Sequence, residues 1–316
     1  MRALLILVLS LFLATMVYAQ TSRRDSASSY LERGNQWLKK GEVERAIEDF
    51  SLAVSSDPTL DQAYFNRGVA RERKGDAEGA LSDYNKALRL NARNLDAYLS
   101  RGILFTQRKE YEAALGDFEA ASAINPRDPR AWINRGATNH MRRDFAAALQ
   151  NYTQAVNLAP KDARAWAGRG GTRFFLGDLA GALADLQQAL RLNPRLALAY
   201  NQRAEIWLQQ SAPDKALADA EKAIQCDPTI AEVWATRGEA WFAKGKLERA
   251  VSDYDEALKL NPQFTQVWCN RGIVQLQLKQ DAAAEQDFAR CRELGSSLSP
   301  YVEQWLQAQR KKREAK

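Results

Sequence analysis

Between residues 27 and 298 the apolar and polar positions repeat with a period of 34, without one insertion or deletion. Each row holds two runs with helical spacing, at about places 1–14 and 17–29, because apolar residues three and four apart share one helix face. The fourth place is always a large aromatic: Tyr30, Tyr64, Tyr98, Trp132, Trp166, Tyr200, Trp234 and Trp268. The eighth is always small: Gly34, Gly68, Gly102, Gly136, Gly170, Ala204, Gly238 and Gly272. Alanine fills the twentieth place in all eight rows and the twenty-seventh in seven, with Cys291 in the last. Four rows carry a glycine between the two runs (Gly41, Gly75, Gly177, Gly245), which predicts a short turn. Six carry proline at place 32, in pairs such as Asn125-Pro126 and Asn193-Pro194. Proline lacks a donor and restricts the residue before it, so the second helix ends there.

The rows are 27–60, 61–94, 95–128, 129–162, 163–196, 197–230, 231–264 and 265–298. One hairpin of two amphipathic helices cannot bury its apolar stripe, so the rows must stack. Small residues at places 8 and 20 let the helices approach. The aromatics at place 4 and at place 24 (Phe50, Tyr84, Phe118, Tyr152, Tyr254, Phe288) are expected to fill the volume between hairpins.

These rows resemble the tetratricopeptide repeat family over residues 27–298. The resemblance implies an all-α fold, a right-handed superhelical solenoid of antiparallel helix pairs. It also implies that first helices line a concave groove that holds partner peptides or proteins. The departures are local: row six has Ala220 where an aromatic is expected, and Ala92 and Ser296 replace proline. Row six is thus expected to be the softest junction. After the last row, Ser299-Pro300 reads as an N-cap with proline at the first helical place. Tyr301, Val302, Trp305 and Leu306 give one apolar face, so residues 299–316 read as a capping helix with a basic tail.

The N-terminus has a different pattern. Arg2 precedes an apolar run from Ala3 to Leu13, and Val17-Tyr18-Ala19 carries the residue types that a signal peptidase reads. Residues 1–19 are therefore expected to be a cleaved signal peptide, with 20–26 as a short linker. The run is shorter than the roughly 20 residues that span a bilayer. A retained segment, tethering an envelope-assembly subunit to the membrane, is the alternative. Export implies the periplasm or secretion.

Charge changes the picture little. The formal charge is +6 over 316 residues. Removal of Arg2 leaves +5, and the last seven residues alone carry +4. The repeats are close to neutral and lack the continuous basic track that phosphate binding needs, so nucleic acid is not the expected partner. The end run Arg310-Lys311-Lys312-Arg313 suits either an anionic membrane surface or a helix C-terminus.

Two patterns bear on sites. Arginine fills place 7 in every row (Arg33, Arg67, Arg101, Arg135, Arg169, Arg203, Arg237, Arg271). Place 23 is acidic in seven (Asp49, Asp83, Asp117, Asp185, Asp219, Asp253, Asp287) and Asn151 in the fourth. A ligand ladder needs no matched acid, so the pattern reads as a structural Arg–Asp pair on adjoining helices. The family geometry draws the groove from places 2, 5, 9, 12 and 13. In rows two to five these supply Phe65, Val69, Leu99, Ile103, Ile133, His140, Met141, Phe174 and Phe175, with Arg130 and Arg164 alongside. An apolar trough with a basic edge suits an amphipathic helix or an extended peptide. The competing reading packs places 5 and 12 between neighbouring first helices. Adjacent Phe174 and Phe175 cannot both point inward, so one is expected to be exposed.

The lysine and asparagine with which some family members grip a C-terminal carboxylate are absent: places 5 and 9 hold Leu31 and Asn35, Phe65 and Val69, Leu99 and Ile103. Cys269 and Cys291 fall at similar height on one hairpin. They read first as small buried residues, and as a disulfide in an oxidising compartment. Cys226 stays free or pairs between chains. With one histidine, no metal spacing, no phosphate loop and scattered carboxylates, neither a cofactor nor catalysis is expected. The expected function is an exported scaffold for protein or peptide partners.

Overall fold

The computed structural model describes residues 24–314, so the expected signal peptide and most of the linker lie outside the described residues. Among the described residues every regular element is a helix. The chain divides between Leu158 and Ala159 into two compact units, a boundary inside the fourth row.

The first unit contains α1 (24–40), α2 (Val43–Ser56), α3 (Asp61–Lys74) and α4 (Ala77–Leu90). It continues with α5 (Leu95–Gln107), α6 (Tyr111–Ile124), α7 (Pro129–Met141) and α8 (Phe145–Leu158). The second contains α9 (Ala163–Phe175), α10 (Leu179–Leu192), α11 (Ala197–Gln209) and α12 (Pro213–Cys226). It ends with α13 (Ala231–Ala243), α14 (Leu247–Leu260), α15 (Thr265–Gln277), α16 (Asp281–Glu293) and α17 (Pro300–Glu314). Odd-numbered helices up to α15 are the first helices of their rows and even-numbered ones the second. Helix α1 is already formed at residue 24, inside the segment expected to be a linker.

Place 15 makes every hairpin turn. The four glycines there have φ between 68° and 86°, and the other four rows put Lys109, Arg143, Ser211 and Lys279 at φ 55° to 67°. The left-handed residue closes the same pair of bonds each time: Gly75 N–H to Glu72 C=O and Asp76 N–H to Arg71 C=O, both 2.9 Å, are matched at Lys109 and Glu110 by 3.0 and 2.8 Å. This bonding satisfies carbonyls at the end of the first helix. Glycine is therefore one solution to a geometry that all eight rows share.

The rings at place 24 pack within their own hairpins rather than between hairpins. A Cβ on Gly34, Gly68, Gly102, Gly238 or Gly272 would come within 2.6–2.7 Å of the ring at place 24 of the same row. The glycine is a socket for the ring. Row six confirms the logic by exception: Ala220 supplies no ring, and place 8 there carries the Cβ of Ala204. Trp207 and Trp241 pack against that alanine cluster and fill the space. At the C-terminus, the Ser299 hydroxyl accepts from the Val302 N–H at 3.4 Å, capping α17. Val302 and Leu306 are buried with Ala284 and Phe288, and the Trp305 ring meets Phe288 edge-on at 6.0 Å. The Tyr301 side chain, and those of Arg310, Lys312 and Arg313, lie outside the described residues.

Candidate partner-binding surface

Seven place-7 arginines donate from Nε and Nη2 to both oxygens of the place-23 aspartate on the second helix of the same row. The Nε distances are 2.7–2.9 Å and the Nη2 distances 2.5–2.8 Å. The aspartates are buried. Each place-7 guanidinium, Arg135 included, also stands over the place-4 ring of its own helix, at 4.7–6.0 Å from the centroid. That stack was legible as an i, i+3 pair of arginine and aromatic. Where place 4 is tryptophan, its indole N–H donates to the carbonyl of the preceding proline, at 2.9–3.2 Å. Seven of the eight place-7 charges are spent on ion pairs within their own rows, so the ladder offers no continuous track for phosphates. The Arg33 partner holds the Asp49 carboxyl below the usual range, chiefly by hydrogen bonding.

Of the eleven groove residues expected in rows two to five, Leu99 and Ile133 are core residues and not groove lining. Place 5 packs between first and second helices: Leu99 sits with Ala114 and Phe118. Phe65, Val69 and Ile103 are half-buried against the same cores. His140 is half-buried, meets Phe145 edge-on at 5.1 Å, and has its pKa lowered by burial. Arg130 bonds Asp128 (2.7 Å) and Asp96 (2.8 Å), and Arg164 bonds Asp162 (2.7 Å). Neither forms an unpaired basic edge. Met141 is 57% exposed in the first unit. In the second, Phe174 packs against the core while Phe175 is 54% exposed, the two rings meeting at 5.6 Å.

The first helices of the second unit also carry half-buried acids. In the second unit, place 9 is Glu205 and then Glu239, and the apolar Leu198 (place 2) and Ile273 (place 9) are exposed on the same helix series. Burial, then the charge of Glu239 and more weakly of Glu232, push Glu205 up to about 7, against a hydrogen bond from Asn201 at 2.7 Å. Burial also raises Glu239, which accepts from Asn270 Nδ2 at 2.9 Å. Leu208, Glu239, Phe242, Tyr254, Asn270 and Ile273 line a cavity of about 310 Å3. The buried Tyr254 hydroxyl sits beside Asn270 without a hydrogen bond of ordinary geometry. Its counterpart Tyr84 donates to Glu72 at 2.7 Å; place 12 in row seven is instead Phe242. The sequence signal was two glutamates 34 residues apart.

Cys269 on α15 and Cys291 on α16 are joined as a disulfide, with Cα atoms 5.4 Å apart, rather than standing as two small buried thiols. Cys226 is free and half-buried. Among the described residues no group of His, Cys, Asp or Glu is placed to hold a metal ion, and no helix is long and apolar enough to cross a membrane.

The tetratricopeptide repeat pattern matches residues 33–94, 65–129, 102–163 and 172–229, and a second TPR repeat pattern matches 238–279. No curated protein matches the chain. Among solved structures, it is similar to a tetratricopeptide repeat protein from Parabacteroides merdae, with 23% identity and TM-score 0.64 over 81% of this chain and 98% of that one. It is also similar to a chain of the APC/C hetero-tetramer Cut9-Hcn1, with 17% identity and TM-score 0.67 over 80% of this chain and 50% of that one. Pseudomonas aeruginosa pilF gives 18% identity and TM-score 0.58 over 67% and 96%. With the repeat pattern matching well over half its length and the helical hairpins in register with it, this chain belongs to the tetratricopeptide repeat family.

Proposed function

We propose that the chain is an exported, non-catalytic scaffold that binds protein or peptide partners along the solvent face of its first helices. The observation that carries this is where most of the exposed large apolar side chains stand: Met141, Phe175, Leu198 and Ile273 lie on first helices at places 2, 9 or 13 and Leu176 caps α9, whereas Leu52 and Leu260 lie on second helices. Met141, Phe175 and Leu198 belong to none of the buried clusters of their hairpins, and at place 9 Ile273 stands exposed where Val69 and Ile103 are half-buried. Exposed apolar residues gathered on one helix series mark an interaction surface better than scattered ones do. In the second unit Glu205 and Glu239 lie half-buried at place 9 of the same helices. Export is supported by the N-terminal apolar run and by the Cys269–Cys291 disulfide, which persists in oxidising compartments.

A photo-crosslinking amino acid at position 175 or 273, in the full chain expressed in its source cell, tests the surface. Defined adducts from these positions, and none from position 52 on a second helix, uphold the reading. Equal adducts from all three, or none, overturn it. N-terminal sequencing tests export: a chain starting at Gln20 upholds cleavage and eliminates the tether, and a chain starting at Met1 overturns the cleaved signal.

A further inference from the structure

Row four departs from its neighbours at one pair. Its place-23 residue is Asn151, whose Nδ2 donates to the Ala147 carbonyl at 2.7 Å rather than meeting the arginine opposite. Arg135 therefore makes no ion pair and no hydrogen bond among the described residues; its one contact of note is the Trp132 ring at 6.0 Å. It lines a cavity of about 350 Å3 with Trp132, Asn139, Arg142, Gln150 and Asn151. Gln150 is exposed, so the cavity is reachable from solvent. Arg142 is already matched, to Glu112 at 2.6 Å and Asp144 at 2.9 Å. The uncompensated cation is Arg135.

A second observation points the same way. Asn139 is 3% exposed, and its Oδ1 has no hydrogen-bond partner. A buried polar atom left unmade costs more than the average bond gains. The terminal torsion of asparagine is broad and two-fold, so a half-turn offers Nδ2, a donor, to the cavity. The cavity then presents guanidinium and amide donors with no acid of its own.

We propose that this cavity binds a carboxylate, which takes the place of the aspartate that the other seven rows supply from within the hairpin. The guanidinium fork is built for such a group, held by two parallel N–H···O bonds. The site uses places 4, 7, 11 and 14 of row four and Asn151 of α8, not the places 2, 9 and 13 of the proposed partner face, and does not depend on that reading. A free small carboxylate and the side chain of a partner's Asp or Glu share this chemistry.

Melting curves of the mature chain test it, with sodium acetate against sodium chloride at equal ionic strength. A capped pentapeptide with one central Glu is compared with its Gln counterpart. The wild-type Tm rises by several degrees with acetate or with the Glu peptide, and not with chloride or the Gln peptide. Acetate protection assigns a free anion, and protection by the Glu peptide alone assigns a partner side chain; either upholds the site. Arg135→Met keeps a near-wild-type Tm and loses the response. Asn151→Asp supplies the missing acid, so its Tm rises without any ligand and it no longer responds. A response undiminished in both variants, or no response in the wild type to either probe, overturns the proposal. Asn151→Asp keeps the test decisive should Arg135→Met not fold.

Discussion

The Phe118 ring lies against Gly102 so closely that a Cβ on the glycine would come 2.6 Å from Cε1. A ring held on both sides by its hairpin cannot retreat, and overpacking of this kind costs about 1–3 kcal/mol. Gly102→Ala is therefore destabilising, although alanine is the better helix former by about 1 kcal/mol. The sign reverses in row six. Ala204→Gly removes a Cβ that meets no place-24 ring, since that place is Ala220, and loses about 1 kcal/mol of helix propensity. Denaturant melts of both variants check this, and a stabilised Gly102→Ala would refute the socket.

Arg101 and Arg135 occupy the same place in adjacent rows and should behave differently. Arg101→Met leaves the Asp117 carboxylate buried without its partner, an uncompensated charge worth about 3–5 kcal/mol. Arg135→Met strands no acid and forfeits only its stack on Trp132, about 1 kcal/mol or less. Equal losses of stability in the two variants would remove the pairing as the reason for the ladder.

Much of this was legible from the chain. The period of 34, the matched Arg and Asp places and the cap at Ser299-Pro300 are one-dimensional signals, because each row must make the same contacts as the last. Ring direction was not legible: whether Phe118 points within or between hairpins depends on helix rotation, which apolar spacing leaves free by tens of degrees. The co-occurrence of Ala204 with Ala220 did carry that information. The groove residues Leu99 and Ile133 were misplaced for a related reason, since place 5 lies at the edge between packed and exposed faces. Glu205 and Glu239 were not legible either, because an acid on a helix reads as a solvated position until helix rotation half-buries it.

The turn at place 15 was legible only where it is glycine. Lys109, Arg143, Ser211 and Lys279 hold φ between 55° and 67°, a region that costs a residue with a Cβ roughly 1–2 kcal/mol. Glycine escapes that penalty but loses more entropy on folding. Lys109→Gly is expected to stabilise the first unit by about 0.5–1 kcal/mol, read as a higher denaturant midpoint at unchanged slope. A neutral or destabilising result would mean that the lysine side chain contributes something else.

Glu205 sets a pH dependence. Its pKa of about 7 in the fold exceeds the ordinary glutamate value of about 4.3. The stability that its neutral form contributes is complete below that ordinary value and is lost as pH rises through about 7. Glu239 and Glu232 on α13 strengthen the effect, and Asn201 on its own helix opposes it. Glu205→Gln should therefore gain on the wild type by on the order of 2 kcal/mol between pH 4.5 and 8. Chemical denaturation at a series of pH values gives the difference, and parallel curves for the two proteins would contradict the raised pKa.

The disulfide closes a short loop between α15 and α16, with 22 residues of sequence separation. Removing the cross-link restores freedom to the unfolded chain, worth about 3 kcal/mol for a loop of this size. Reductant should thus lower the Tm of the wild type and leave that of a Cys269→Ser, Cys291→Ser double variant unchanged. Alkylation counts the thiols independently. Denatured but unreduced protein from the source cell should take one label, at Cys226, and three after reduction. Three labels before reduction would show the pair to be free in the cell, and would also take away one support for export.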